Sequence, residues 1–232
     1  MGSEFDLQFT GQADILAGSD EVGRGPLAGP VVAATAFLQL SDKSDVVKTL
    51  LHLDDLGVWD SKKLNSQKRQ QILRKLGVDW AQITADAPSY LMASGSTICY
   101  LISLVLPEEI DRINILQASL LSMERSFLLG PDTGSERRIC WLVDGNRAPR
   151  ISIPNVTTHA IVKGDAKSTI IALASIIAKE YRDNLMLEWH KIYPQYGFEQ
   201  NAGYPTAFHL AALKKFGPSS IHRKTFRGVL NF

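Results

Sequence analysis

The run Asp20-Glu21-Val22-Gly23-Arg24-Gly25-Pro26-Leu27-Ala28-Gly29-Pro30 lies between two apolar stretches. Residues 15–19 are short and apolar, and residues 31–38 are apolar and rich in β-formers. Each flank reads as a strand. Between them stand Gly23, Gly25, Pro26 and Gly29, residues of turns rather than of strand interiors. Two carboxylates therefore sit just past a strand, at the mouth of a glycine-rich connection. Neighbouring side chains on a strand point to opposite faces. Asp20 and Glu21 converge on one place only where the backbone leaves strand geometry, and Gly23 and Gly25 make that departure cheap. Otherwise Glu21 contributes its main-chain carbonyl.

Outward from this run, strands and helices alternate. Asn65 is placed to cap a helix over residues 66–76, which Gly77 ends. Residues 80–85 read as a further strand. Pro107 suits the first turn of a helix running to about residue 129, with Ile110, Ile113, Leu116, Leu120 and Met123 as its apolar stripe. Residues 139–143 form a buried strand ending at Asp144-Gly145. Residues 160–162 form a short strand ending at Lys163-Gly164-Asp165, and a long helix covers about 168–192. A last helix spans residues 206–216, closed by Gly217-Pro218. The pattern predicts one α/β domain.

The chain of 232 residues is 45% hydrophobic and 21% charged, enough to bury a sizeable core. Its apolar runs are too short to cross a bilayer, and no secretory signal opens it. A cytoplasmic, membrane-free protein is the expectation. Residues 1–10 read as a vector-derived tag and are left out of fold reasoning. Residues 11–232 are expected to form the single domain, with 185–232 a helical, basic C-terminal part. Two cysteines, Cys99 and Cys140, exclude a disulfide scaffold or a cysteine-rich zinc site and suit a reducing compartment. The net charge is +1, yet residues 201–232 carry five basic side chains and no acid, leaving −4 on residues 1–200. Residues 62–75 are also basic without an acid. Such stretches suit a polyanion, or simply a solvated helix face.

Asp20, Glu21, Asp144 and Asp165 all fall at apparent strand ends, where sites of open α/β sheets gather. Hard carboxylate oxygens suit Mg²⁺ or Mn²⁺. Two such ions about 4 Å apart activate a water and stabilise the leaving oxygen of a phosphodiester. Taken singly, acids at loop starts also form turns and cap helices, and Asp165 is placed to cap the long helix. Gly23-Arg24-Gly25 lacks the third glycine of a dinucleotide fingerprint, and no P-loop ending follows. His159, His190, His209 and His222 show no zinc-ligand spacing. Lys179 and Asp183, four apart on a helix, are placed to pair. Ser175 is expected to pack helix on sheet.

The run from Asp20 to Pro30 strongly resembles the opening motif of the ribonuclease HII family, the type 2 ribonucleases H. The resemblance continues through Asp60-Ser61-Lys62-Lys63-Leu64, Asp144-Gly145-Asn146 and Lys163-Gly164-Asp165. It extends to Ala174-Ser175-Ile176-Ile177-Ala178-Lys179 with Arg182-Asp183, to Gly203-Tyr204-Pro205-Thr206, and to His222-Arg223-Lys224-Thr225-Phe226. Those motifs cover nearly the whole chain in the family's order. The sister ribonucleases HIII lack the turn in this form and carry an extra N-terminal domain, for which too little chain precedes Asp20. Glu180 departs from the family, which commonly has an apolar residue there; it is expected near the active-site helix, facing solvent beside Tyr181.

The resemblance implies a ribonuclease H-like fold, a mixed central sheet flanked by helices. It implies hydrolysis of the RNA strand of RNA–DNA hybrids and cutting 5′ to single ribonucleotides in duplex DNA, leaving 3′-hydroxyl and 5′-phosphate ends. Asp20, Glu21, Asp144 and Asp165 map onto the family's metal-binding acids, with a two-ion Mg²⁺ or Mn²⁺ site. Gly23, Arg24 and Gly25 match the element that reads the 2′-hydroxyl, and Tyr204 the tyrosine that senses the junction with deoxyribonucleotide. Ser61, Lys62, Lys63 and Lys163 suit phosphate contacts, as does Lys167. Expected partners are hybrids and ribonucleotide-containing duplexes, bound by a monomer. A ribonuclease H-like nuclease acting on DNA and a non-catalytic nucleic-acid binding module are the alternatives.

Overall fold

In the computed structural model, which describes residues 2–11, 13–59, 64–78 and 83–230, alternating side chains build a sheet buried on both faces. On β1 (Ile15–Val22), Leu16 joins one apolar cluster while Ile15 and Ala17 join another. On β2 (Val31–Gln39), Val32, Ala34, Ala36 and Leu38 face the first cluster, and Ala33 and Phe37 the second. With β3 (Ser89–Ala93), β4 (Ser96–Val105), β5 (Ile139–Asp144) and β6 (Val156–Ile161), the order is β3-β4-β2-β1-β5-β6. The β1–β2, β2–β4 and β3–β4 pairs are antiparallel, while β1–β5 and β5–β6 are parallel. The mixed sheet is the one expected.

The helix α6 (Thr169–Ile192) lies across the first face with α2 (Lys43–Asp55) and α3 (Ser66–Lys75). On the other face, α5 (Ile115–Leu128) stacks Phe127 on Trp141 with ring centroids 4.0 Å apart. Gly18 lets α6 come close to the sheet: a Cβ there would stand 2.6 Å from the carbonyl carbon of Ile170 and 2.7 Å from the nitrogen of Ile171. Backbone cannot yield as a side chain does, so Gly18→Ala should cost about 1–3 kcal/mol in urea unfolding. A loss below about 0.5 kcal/mol, the level of an ordinary surface change, would mean that α6 simply rides outward.

Several expectations are corrected. The helix over 107–129 is two, α4 (Pro107–Ile113) and α5, broken at Asn114 with φ +68°. Asparagine tolerates that conformation, and its side chain accepts from the nitrogens of Leu116 and Gln117 to start the second helix. Residues 83–85 are not strand, and 79–82 lie outside the described residues. The strands of that region are instead β3 and β4, which the sequence reading passed over together with α2. Ser168, not Asp165, caps α6 by accepting from the nitrogen of Ile171. Asn65 does cap α3.

Residues 2–7, within the expected tag, form α1 (Gly2–Leu7) and pack against the domain. Asp6 is fully buried and accepts from the nitrogen of Ile170 at 2.9 Å; burial pushes its carboxyl up to about 7. Ser3 donates to Asp54 at 2.6 Å. At the opposite end of the chain, α7 (Phe198–Asn201) and α8 (Ala207–Phe216) enclose a small core with Leu27, Ala28 and Met186. Among the described residues, no helix is long and apolar enough to cross a membrane.

Candidate active site

The parallel arrangement decides where the acids go. Ser19 pairs with Val143, so Asp20, two residues before the end of β1, stands beside Asp144 at the end of β5. Asp144 pairs in turn with Ile161 at the end of β6, and the next turn carries Lys163-Gly164-Asp165. Lys163 adopts φ +58°, and Gly164 donates its N–H to Oδ1 of Asp144 at 2.6 Å. Thus three strand ends bring four carboxylates into one neighbourhood. The strand does not break at Asp20-Glu21 as the glycines suggested. It continues to Val22, with Asp20 Oδ1 accepting from the nitrogen of Glu21 at 2.7 Å, and departs only at Gly23 with φ +95°.

The electrostatics are those of crowded anions. Asp20 and Asp165 are each 3% exposed. Burial, then the charges of Glu21 and Asp144, push the Asp20 carboxyl well above the usual range, and a hydrogen bond from Ser175 opposes this. Burial also raises Glu21 to about 7, against the pull of Arg24, whose guanidinium lies 3.3 Å away. Among the described residues, no three His, Cys, Asp or Glu side chains are grouped tightly enough to hold an ion as they stand. The donor chemistry nevertheless suits a hard divalent cation: these are all carboxylate oxygens, and their repulsion is what a cation relieves.

Asp20, Glu21, Asp144, Gly23, Arg24, Gly25 and Tyr204 line one cleft of about 500 Å³, as do Ser175, Lys179 and Arg69. The expected turn and tyrosine are therefore beside the acids. Gly25 faces the Tyr204 ring, with space for a Cβ at 3.4 Å. Lys163 and Lys167 are exposed on the turn around Asp165. Ser61, Lys62 and Lys63 lie outside the described residues.

Other site residues escaped the sequence reading. Ser175 does more than pack helix on sheet, since it bonds Asp20. Glu180 does not face solvent: it is 1% exposed and pairs with Arg69 at 2.6 Å. Lys179 and Asp183 do pair, at 2.6 Å. Arg223, counted among the basic C-terminal side chains, is buried and unavailable to a duplex. Its Nε, Nη1 and Nη2 donate to the carbonyls of Gly29, Arg24 and Gly23 at 2.9, 3.1 and 2.6 Å. Arg182 likewise donates to Pro30, Ala202 and Ala28. Burial lowers the two guanidinium groups to about 10 for Arg182 and about 9 for Arg223.

Tyr204 is held from behind. His222 Nδ1 accepts from the nitrogen of Ser219, so its Nε2–H donates to His209 Nε2 at 3.0 Å; His209 Nδ1–H then reaches the carbonyl of Tyr204 at 2.9 Å. Both rings must be neutral. Burial, then His209, pushes His222 down to about 4 from an ordinary 6.5. The unfolded chain thus takes up the proton first, so this contribution is intact above about pH 6.5 and lost as pH falls toward 4. Urea midpoints should decline across that window, and His222→Gln should flatten the decline. An equal decline in the variant would show that the pair is not its source.

A mixed sheet of this order, with acids at three parallel strand ends and a long helix laid over the first strand, defines the ribonuclease H-like class of α/β enzymes. Comparison with known proteins narrows the class. Residues 17–229 match the family Ribonuclease HII. The chain is 42% identical over 218 residues to ribonuclease HII of Dechloromonas aromatica (strain RCB), covering 93% of this chain and 92% of that protein. It is 40% identical over 223 residues to that of Burkholderia thailandensis, covering 96% and 88%. The crystal structure of ribonuclease H2 from Pyrococcus horikoshii OT3 is similar with a TM-score of 0.62 and 26% identity, covering 93% of this chain and 95% of that one. The chain belongs to the ribonuclease HII family. It is an endonuclease that hydrolyses the RNA strand of RNA–DNA hybrids.

Proposed function

We propose that this enzyme also cuts on the 5′ side of single ribonucleotides embedded in duplex DNA, leaving 3′-hydroxyl and 5′-phosphate ends, with two Mg²⁺ or Mn²⁺ ions held by Asp20, Glu21, Asp144 and Asp165. One observation carries the metal assignment: a buried Asp20 carboxyl, raised first by its burial and then by the charges of Glu21, Asp144 and Asp165 gathered around it, is a site short of positive charge. Bound there, divalent ions would supply Lewis acidity toward water and toward the leaving oxygen of a phosphodiester. The protein's own share is positional. Asp144 is fixed by the N–H of Gly164, and Ser175 holds Asp20.

Recognition falls to Gly23, Arg24, Gly25 and Tyr204. A 2′-hydroxyl both donates and accepts, and is what distinguishes RNA from DNA. A glycine turn lets main-chain groups approach it, and the half-exposed Tyr204 ring offers a face to a sugar beside that turn. Lys163 and Lys167 are exposed for phosphate contacts, and Ser61, Lys62 and Lys63 are assigned the same role. One chain supplies every one of these groups, in keeping with a monomer, and the free, buried Cys99 and Cys140 suit a reducing cytoplasm.

The test is a labelled duplex with one ribonucleotide, an RNA–DNA hybrid and an all-DNA control, each with and without Mg²⁺ or Mn²⁺. Metal-dependent cutting 5′ to the ribonucleotide with the control intact is expected. Equal cutting of the control would point to a DNA nuclease, and metal-independent binding without cutting to a binding module. Tyr204→Ala should lose about 10-fold or more on the single-ribonucleotide duplex, the worth of one stacked contact, and less on the hybrid. Equal losses would remove Tyr204 as junction sensor.

A further inference from the structure

The turn that is proposed to read the ribose has no side chain of its own for the task at Gly23 or Gly25. What it offers is main chain, and main-chain donors work only when aimed. Both peptide units of the turn are trans. In a trans peptide the N–H points opposite to the C=O of the same unit. The carbonyls of Gly23 and Arg24 are both taken by the guanidinium of Arg223, at 2.6 and 3.1 Å, on the buried side of the turn. The N–H groups of Arg24 and Gly25 therefore point away from Arg223. The turn lines the cleft and Arg223 does not, so away from Arg223 is toward the cleft.

Resting on the recognition role given above to the turn, we infer that Arg223 is a positioning residue for ribonucleotide selectivity: its fork holds two consecutive carbonyls back and so presents two consecutive N–H groups to the substrate. Three features support this. Arg223 itself is fixed, because residues 221–223 pair with the chain behind the turn: Gly29 donates to the carbonyl of Ile221, and Arg223 donates its own N–H to Leu27. Its third donor, Nε, takes the carbonyl of Gly29, so all three acceptors belong to one stretch of seven residues. Gly23, at φ +95°, has no room for a side chain, since a Cβ would lie 2.4 Å from Nε of Arg182. The turn is thus clamped from behind by two buried cations and open only in front. A lysine in place of Arg223 keeps the charge but has no planar fork with which to span two carbonyls.

The experiment compares wild type, Arg223→Lys and Phe127→Leu. The last is a core change on the far face of the sheet that lowers stability without touching the turn. Affinities are measured in Ca²⁺ for a duplex with one ribonucleotide and for its all-DNA counterpart. Arg223→Lys should weaken the ribonucleotide duplex at least about 10-fold and leave the all-DNA duplex nearly unchanged, so that the ratio collapses toward one. Phe127→Leu should keep the wild-type ratio. A preserved ratio in Arg223→Lys, or an equal loss in Phe127→Leu, overturns the inference. Should Arg223→Lys not fold, the wild-type protein decides: the amide resonances of Arg24 and Gly25 should shift with the ribonucleotide duplex and not with the all-DNA duplex, and no such difference overturns it. A wild type that binds both duplexes equally instead removes the recognition role of the turn, whatever Arg223 does.

Discussion

Asp144→Asn should reduce cleavage of every ribonucleotide-containing substrate by about 10³-fold or more, the several kcal/mol expected when a metal-holding carboxylate is lost. Folding and duplex binding should survive. Asparagine is nearly isosteric, and its amide oxygen can still accept from Gly164 as Asp144 Oδ1 does at 2.6 Å. The change also removes one of the charges that raise Asp20. The variant should therefore be at least as stable as wild type without metal, yet gain less thermal stability from added Mg²⁺ or Mn²⁺. Single-turnover cleavage and melting curves check both halves. A near-normal rate would take Asp144 out of the catalytic set. A lost rate with an unchanged metal-induced melting shift would separate it from ion binding.

Arg69→Met should destabilise the fold by about 3–5 kcal/mol. Arg69 is buried, with Nε on Glu180 at 2.6 Å, Nη2 on Asp183 at 3.1 Å and Nη1 on the carbonyl of Leu64 at 2.6 Å. Glu180 is only 1% exposed, so removing the guanidinium leaves its carboxylate away from water with only the neutral donors of Ser66 and Gln70, at 3.4 and 3.2 Å. A buried pair is worth little against an apolar pair of the same shape, but half a pair is costly. Arg69→Met combined with Glu180→Leu should accordingly recover much of the loss. Urea unfolding of both single variants and the double variant reads the coupling. Simple additivity would mean that the two side chains act independently despite their contact.

The four acids were legible because each is a local event: an apolar run that ends in a carboxylate. The apolar runs that lead into Asp20 and Asp144 are visible in the sequence, although β1 itself runs on to Val22, and a parallel sheet does the rest. The Ser66–Lys75 helix was legible for the same reason, its cap and its closing glycine being neighbours in sequence. What stayed hidden depends on partners far apart. Glu180 meets Arg69 across 111 positions, and no periodicity in the Thr169–Ile192 helix distinguishes it from a solvated acid. Arg223 looked like one more basic side chain in a basic tail, since its three acceptors are main-chain atoms that a sequence does not display. β4, the longest strand among the described residues, was passed over although its apolar run is of the same kind as the one read as β2.

The bond between Arg223 and Gly23 closes a loop of 200 positions. Such a contact cannot exist while the chain is being made until residue 223 has emerged, and distant closures of this kind form late in folding generally. The strands that carry Asp20, Glu21 and Asp144 need no such wait. A nascent copy can therefore pair the strands carrying the proposed catalytic acids before it can make the contact proposed to aim the turn. Selectivity for the ribonucleotide would then depend on synthesis having passed residue 223, and a chain stopped before it would lack that selectivity even where its sheet had formed.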